Sequence, residues 1–450
     1  MDAIQQKSIL PPGPKPLPVL GNNHSFVRDP LNFLQTLHQT YGPMATIRMA
    51  DTPSVVLFEP EHIHYVLTEN PRNFTSAEFA QGLQEFTGHG LFNLDGDTHR
   101  QQRRLVQPAF HRKRVENYAD TMRQYTIEML NTWKAGDRIA LDQELQQLTM
   151  RIVAKCLFDI DLGLRNSKLG QAFTDILENQ PRLLETITKL RIDLPFTDYG
   201  KRQRGKRIID KVIYELIAQR RTEGIDKGDF LSMLLETTED DKALTDTQIR
   251  DHIMTFVAAG HETSSNTLVW AFYLLAQNDP QYQKLYLELQ EQLQGQPPTL
   301  ADLSKTPYTE WVINETLRLY PPAYLIGRRA REEFKLGEYT LPAKTFVLIS
   351  KWVLHRRPDL WENADTFQPE RWRPENAKNI VPWSYIPFGA GPRMCIGMPF
   401  AQMEMRLLLA TMIQRFKFRI VPGFKMETDP LITLRPKNGL QVILEPVSQA

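Results

Sequence analysis

The stretch Pro387-Phe388-Gly389-Ala390-Gly391-Pro392-Arg393-Met394-Cys395-Ile396-Gly397 constrains this chain more than any other. The sequence holds 2 cysteines, Cys156 and Cys395. Cys156 lies in an apolar helical run, whereas Cys395 follows a Gly- and Pro-rich loop and precedes a long helical pattern. Glycines let backbone approach a bulky partner and adopt positive φ. A thiolate needs electropositive surroundings to persist at neutral pH. The N-terminus of the following helix supplies part of that, and Arg393 another part. The loop therefore reads as a thiolate offered to something large and flat. A lone cysteine argues against zinc and iron–sulfur clusters, which take several.

Composition sets the outer bounds. At 450 residues the chain can bury a sizeable core, and a net charge of +1 implies no general preference for polyanions such as nucleic acid. So few cysteines exclude a disulfide framework and suit a reducing compartment. The first residues, MDAIQQKSIL, lack the apolar core of a signal peptide. No run approaches the roughly 20 apolar residues of a membrane helix. A cytoplasmic protein is expected. No repeat or Ser/Gly linker divides the chain, so residues 1–450 are read as one domain.

In chain order, Pro11-Pro12-Gly13-Pro14-Lys15-Pro16 forms a stiff extended strap. Residues 29–41 read as a helix, Met44–Met49 and Ser54–Phe58 as a hairpin, and Pro60–Asn70 as a short helix. Residues 76–94 lack a clean period and mix Phe79, Phe86, Leu91 and Phe92 with glycines; they cover core or line a pocket. A helix then opens at Asp97 or Thr98 as N-cap. On it His99 and Arg103 share one face, Arg100 and Arg104 a neighbouring one. Arg112, Lys113 and Arg114 continue the basic run. From 115 to 235 the pattern is helical, with loops expected at 166–167, 194–195 and 224–228.

A long apolar helix spans Thr245–Gln277 and contains Ala258-Ala259-Gly260-His261-Glu262-Thr263. A mid-helix Gly costs about 1 kcal/mol relative to Ala. Thr263 can bond back to an upstream carbonyl and bend the helix. Small residues at a kink admit a ligand, and an acid beside a hydroxyl can relay protons. Close helix packing explains the same residues equally well, with His261 and Glu262 then facing solvent. In the helix Glu310–Tyr320, Glu315 and Arg318 are spaced to pair. Strands are read at Ala323–Gly327, Glu333–Leu336 and Phe346–Ser350. A Pro-rich loop through Pro369-Glu370-Arg371-Trp372 leads to Cys395. A helix over Met398–Phe416 and strands at 417–421, 430–434 and 440–444 complete the chain.

Together these motifs resemble the cytochrome P-450 superfamily of haem-thiolate monooxygenases, in the form of its bacterial-type soluble members. Phe388, Gly391, Arg393, Cys395 and Gly397 match that family's F-x-x-G-x-R-x-C-x-G loop. Glu315 and Arg318 match its E-x-x-R helix, and Arg371 the third member of its Glu-Arg-Arg cluster. Ala259-Gly260-His261-Glu262-Thr263 matches its A-G-x-E-T kink. Four motifs in order, spanning essentially the whole chain, are specific where each alone is weak.

The resemblance implies a mainly α fold with small β-sheets (α+β). Haem b, iron protoporphyrin IX, would lie between the long kinked helix and the cysteine-loop helix. Cys395 would be the axial ligand and Ala259 and Phe388 would touch the haem. Arg103, Arg393 and Arg328 would meet the propionates, with Arg329 the alternative to Arg328. His99 stands where the family usually has Trp and would donate an imidazole N–H instead. Glu315, Arg318 and Arg371 would be structural. Thr263 and Glu262 would guide protons in the insertion of one atom of dioxygen into a C–H or C=C bond.

Electrons must come from elsewhere, since no G-x-G-x-x-G fingerprint marks a fused reductase. The basic helix suits an acidic ferredoxin or flavodoxin, with Arg112 and Lys113 contributing. By resemblance the pocket draws on Phe79, Phe86, Leu91 and Phe92, on Phe256 and Ala259, on Tyr324, Leu325 and Ile326, and on Leu431 and Ile432. Such a lining suits a terpenoid, steroid or fatty acid. Arg48 lacks a Tyr partner for the carboxylate clamp of some fatty-acid hydroxylases, which favours the first two. A monomer is expected. A peroxygenase or isomerase is the alternative, against which the Glu262-Thr263 pair argues. A non-catalytic haem sensor is a third, against which the Ala-Gly kink argues.

Overall fold

The computed structural model describes residues 10–18, 20–49, 52–76, 78–79, 81–163, 168–179, 191–239 and 242–447. The loop expected at 166–167 lies outside them, as does the side chain of Arg112. The fold is mainly helical with small sheets, as the sequence implies.

A 5-stranded sheet forms one flank. In chain order its strands are β1 (Met44–Met49), β2 (Thr52–Leu57), β3 (Phe74–Thr75), β4 (Leu325–Ala330) and β5 (Phe346–Ser350), arranged β1-β2-β5-β4-β3. β1 and β2 pair antiparallel, with Met44 opposite Leu57. β5 runs parallel to β2 and antiparallel to β4, with Leu348 opposite Gly327. The proline strap lies along β1: Thr46 N donates to Pro12 O at 2.9 Å, and a Cβ on Gly13 would come within 1.8 Å of Thr46 O. Glycine there lets two backbones touch.

The helices that place the site are α1 (Gly96–Val106), α2 (Leu141–Phe158), α3 (Asp198–Glu223), α4 (Asp246–Gln277), α5 (Pro307–Leu319), α6 (Lys351–Leu354) and α7 (Met398–Ile413). α4 starts from a capping box. Gln248 N donates to Thr245 Oγ1 at 3.2 Å, while Thr245 N donates to Gln248 Oε1 at 2.9 Å. Each satisfies a donor that the first turn leaves unpaired. α4 is buried on nearly every side because α2, α5 and α7 all pack against it. Val153, Leu268, Val269, Leu408 and Leu409 belong to this one core. A second core lies beside the sheet around Val55, Leu57, Val347 and Ile349.

The structure departs from the sequence reading in several places. α1 begins at Gly96, with Asp95 in the N-cap position, so neither Asp97 nor Thr98 caps it. Pro60–His64 is α-helical, but Tyr65–Glu69 widens into a π-helical turn. The strand expected at 430–434 is instead a hairpin, Thr428–Pro430 paired with Leu434–Pro436. Leu431 and Ile432 occupy its exposed turn, where apolar character mimics strand patterning. A strand at Tyr339–Leu341, paired with Phe334–Leu336, had no clear signal.

Candidate functional site

The Cys395 loop is shaped by its backbone. Cys395 N donates to Phe388 O and Gly389 N to Ile386 O, each at 2.9 Å. Gly389 and Gly391 have φ of 71° and 67°. A Cβ on Gly391 would sit 1.9 Å from Leu67 O, so the loop can close against the π-helical turn only through glycine. Cys395 opens onto accessible space although protein crowds it on its other sides. That crowding pushes its thiol up. The N–H groups of Gly397 and Met398 and the charges of Lys351 and Arg103 pull it back down.

Arg393 does not provide that charge. Its guanidinium pairs with Asp95 and donates to Leu94 O, and also to Leu91 O at 3.4 Å, so it splints the loop to the segment before α1. Asp95 is held in turn by Ser76 N at 2.8 Å. Burial and Arg103 draw Arg393 down to about 10, with Asp95 opposing.

Arg103, Arg328 and Arg393 converge on His99. Burial first, then these three cations, bring the His99 imidazole down to about 3, so it is neutral and keeps one N–H to donate. Arg328 is drawn down to about 10 by burial and by Arg393, and its guanidinium donates to the neighbouring Gly327 O at 2.8 Å. Among the described residues Arg103 has no ion-pair partner, and burial lowers it too. Arg329, on the other side of β4, pairs with Glu78. Of the two candidates, Arg328 is therefore the one grouped with Arg103 and Arg393. Arg103 and Arg328, half-buried and without an ion-pair partner among the described residues, call for an anion.

Behind the loop, Glu315 and Arg318 are fully buried and bidentate, at 2.8 and 2.9 Å. Arg371 Nε donates to Glu315 Oε1 at 3.2 Å, and Trp372 Nε1 to Oε2 at 3.1 Å. Arg318 also donates to His355 O at 2.8 Å and Ala364 O at 2.6 Å. The His355 ring then accepts from Ile386 N at 3.1 Å, at the mouth of the cysteine loop. The motif thus forms one network ending on the loop it supports.

α4 runs unbroken through Ala258–Thr263. Ala258, Ala259, Gly260, Glu262 and Thr263 are half-buried, against fully buried neighbours on either side, which marks a window in an otherwise packed helix. Thr263 Oγ1 donates to Ala259 O at 2.8 Å. Glu262 Oε1 accepts from Thr433 Oγ1 at 2.6 Å. The two side chains are therefore held by different partners. His261 is buried, not solvent-facing, and its Nδ1 donates to Val257 O at 2.8 Å. Gly260 serves packing: a Cβ there would lie 3.1 Å from Val153 Cγ2 on α2.

Of the expected lining, Phe86, Leu91, Phe256 and Tyr324 are closed into core; the Phe256 ring lies tilted against Phe110 at 4.7 Å and edge-to-face with Phe230 at 4.9 Å. Phe79, Phe92, Leu431 and Ile432 are exposed, and Leu325, Ile326 and Phe388 half-buried. Sequence reasoning missed Asp95, Lys351 and Thr433. No local pattern marked them: each owes its place to a partner far away in sequence.

Among the described residues no cluster of His, Cys, Asp and Glu could hold a metal by itself, and no helix is long and apolar enough to cross a membrane. A half-open thiol, a glycine-lined loop and two half-buried arginines without an ion-pair partner among the described residues fit a flat dianionic macrocycle whose metal takes one thiolate.

The comparisons agree. The family model described as Cytochrome P450 matches residues 11–444. Cyclooctatin synthase of Streptomyces melanosporofaciens is 34% identical over 440 residues, covering 96% of this chain and 95% of that protein. Cyclooctat-9-en-7-ol 5-monooxygenase of the same organism is 33% identical over 415 residues, covering 91% and 90%. The retinoic acid bound cyanobacterial CYP120A1 superposes with a TM-score of 0.87 at 25% identity, covering 98% of this chain and 100% of that one. With a match along nearly its whole length and relatives of its own size, this chain belongs to the cytochrome P450 family of haem b monooxygenases.

Proposed function

We propose that this enzyme oxidises a lipophilic small molecule of the terpenoid class, as a cytoplasmic, monomeric, single-domain catalyst fed by a separate acidic ferredoxin or flavodoxin. The half-buried window of α4 carries the reading: small apolar residues flank one acid and one hydroxyl, in a helix otherwise sealed. Haem b, when bound, supplies the activation of dioxygen and the oxidation of the C–H or C=C bond.

The chain's own part follows from the groups in place. Cys395 Sγ would ligate the iron, and a thiolate in that position donates electron density that favours O–O cleavage. Arg103, Arg328 and the neutral His99 would hold the propionates. Arg393 would contribute through the loop it splints as well as through charge. Ala259 and Phe388 would bound the macrocycle on its two sides. Thr263 has committed its hydroxyl hydrogen to Ala259 O, so its oxygen is free to accept a hydrogen bond from water. Glu262 Oε1 is held by Thr433, which leaves Oε2 to take protons from solvent and pass them toward Thr263 Oγ1.

Two observations support a terpenoid over a fatty acid. Arg48 is exposed, and its strand neighbours supply no carboxylate clamp. One relative acts, by its name, on cyclooctat-9-en-7-ol. Terpenoids, steroids and fatty acids should be screened for the ferric spin-state change that follows loss of iron-bound water, and then for dioxygen- and reductant-dependent product. Terpenoids should give both. Turnover of fatty acids alone would overturn the substrate class, and product without an electron donor would overturn the need for a partner. Thr263→Ala should separate electron consumption from product formation; unchanged coupling would remove Thr263 from proton delivery.

A further inference from the structure

Residues 84–93 form a braced unit of their own. Gly88 N donates to Gln84 O, Gly90 N to Thr87 O and Asn93 N to Gly90 O, each at 2.9 Å. The Asn93 side chain closes the unit by donating to Thr87 Oγ1 at 2.6 Å and Gly88 O at 3.0 Å. Side chains of other elements hold this unit in place. Arg250 Nη1 of α4 donates to Phe86 O at 2.6 Å, and Asp251 Oδ2 accepts from His89 N at 2.7 Å. Gly88 and Gly90 let the backbone lie against α4: a Cβ on them would come within 2.2 Å of Asp251 Oδ1 and 1.9 Å of Thr255 Oγ1. At the far end Arg393 of the cysteine loop donates to Leu91 O at 3.4 Å. The unit therefore spans from α4 to the cysteine loop, across the edge of the haem site. Asp251 lies about 12 Å along α4 from Ala259.

Arg250 also reaches a third element. Its Nε donates to Asp210 Oδ1 on α3 at 2.7 Å, and its Nη1 to Asp251 Oδ1 at 2.9 Å. Arg250 and Asp251 are buried, and Lys206 pairs with Asp210 at 3.1 Å, so two cations face two carboxylates. Gln203 of α3 donates to Glu85 of the unit. We propose that Arg250 is a clasp that makes α3 and residues 84–93 open and close as one cover over the haem site, and so sets how fast a bulky lipophile enters. Arginine suits the task because its planar fork bonds several acceptors at once, where an ammonium is a point charge. A segment held by a few side-chain grips opens locally at less cost than the packed helices behind it. Releasing 84–93 while α3 stays in place would part buried charges from their partners. The low-cost opening therefore takes both elements together.

This inference rests on the haem site proposed above. The test uses two variants of the haem-loaded enzyme, Asp210→Asn and Arg250→Lys. Asp210 pairs with Arg250 and Lys206, so Asp210→Asn cuts the tie to α3 without altering a residue of 84–93. Arg250→Lys keeps the charge and loses the fork. In both, amide hydrogen exchange should quicken about tenfold in residues 84–93 as well as in the first half of α3. Association of phenylimidazole with the ferric iron, followed by stopped flow at the Soret band, should quicken about tenfold too. That of imidazole, small enough to enter past a closed cover, should stay near the parent. Parental exchange in 84–93 of Asp210→Asn would overturn the clasp, as would faster exchange with unchanged phenylimidazole association. Equal acceleration of both azoles would place the change at the iron and also overturn it. If Arg250→Lys fails to fold, Asp210→Asn decides alone. A parent whose Soret band does not move with imidazole refutes the haem reading itself. A moving band with parental rates in the variants refutes only the cover.

Discussion

The Thr433 hydroxyl donates to the Glu262 carboxylate at 2.6 Å and ties the 428–436 hairpin to α4. Asn266, one turn along α4 from Glu262, donates to the same Thr433 oxygen at 3.2 Å. The acid offered for proton delivery is thus positioned by a residue next to Leu431 and Ile432, at the exposed turn of that hairpin. Thr433→Val keeps the shape and removes the donor. Product formed per electron consumed should fall about tenfold, less than the roughly hundredfold or more that a general acid itself supplies. Thr433→Ser should restore it. An unchanged product ratio and solvent isotope effect in Thr433→Val would show that Glu262 needs no such anchor.

Glu315, Arg318 and Arg371 carry a second prediction. An exposed pair at this spacing would be worth a few tenths of a kcal/mol, but Glu315 and Arg318 are fully buried and every outlet of Arg318 is a carbonyl or Glu315. Removing Arg318 takes away the bidentate partner of the buried Glu315 carboxylate and leaves it only the longer contacts to Arg371, Trp372 and Gln368 N. Arg318→Ala should therefore cost about 3–5 kcal/mol in chemical denaturation. Haem should also be lost more easily, because the network ends at Ile386 beside the cysteine loop. Stability within 1 kcal/mol of the parent would deny the network its structural role.

The cysteine loop, the Glu315–Arg318 pair and α4 were legible because each is a local pattern. The glycines answer to close backbone contacts, the pair to helical spacing, and the long helix to its length and apolar content. Thr433, Asp95 and Lys351 were not legible. Their partners stand 171, 298 and 36 residues away in sequence, and only tertiary packing brings them together. Arg393 shows the same limit from the other side: its motif position was clear, but its pairing with Asp95 was not. Phe256 and Phe86 failed as pocket residues because an apolar side chain reads alike whether it faces core or cavity.

The basic stretch after α1 yields a third prediction. Lys113 and Arg104 are exposed, and the Arg100 guanidinium pairs with Asp97 on the same helix. Arg103 of α1 lies close enough to Cys395 to act on it electrostatically, so this helix borders the cysteine loop. Lys113→Glu should slow the first electron transfer from an acidic partner about tenfold at low ionic strength. The dependence of that rate on salt should flatten. Stopped-flow reduction across a salt series measures both, and identical curves for parent and variant would place docking elsewhere.

Glu404 of α7 gives a prediction in pH. It is fully buried, and neither carboxyl oxygen has a hydrogen-bond partner among the described residues. The Ser264 hydroxyl of α4 lies near enough to favour ionisation slightly, but outside hydrogen-bonding geometry. Burial pushes the carboxyl up to about 8. Between its ordinary value of 4.5 and about 8 the folded protein holds a proton that the unfolded chain has released. Stability from this group is therefore complete at low pH and declines as pH rises, by up to about 1.4 kcal/mol per unit, before levelling above 8. His252, drawn down to about 4 by burial, acts in the opposite sense below 6.5, where the unfolded chain takes up the proton first. The Glu404 contribution must accordingly be read as the difference between parent and Glu404→Gln. Urea unfolding at a series of pH values from 5 to 9 supplies it. The parent should lose stability relative to Glu404→Gln from pH 5 to about 8 and level off above it, and parallel pH profiles would mean that Glu404 ionises in the folded protein much as it does in the unfolded chain.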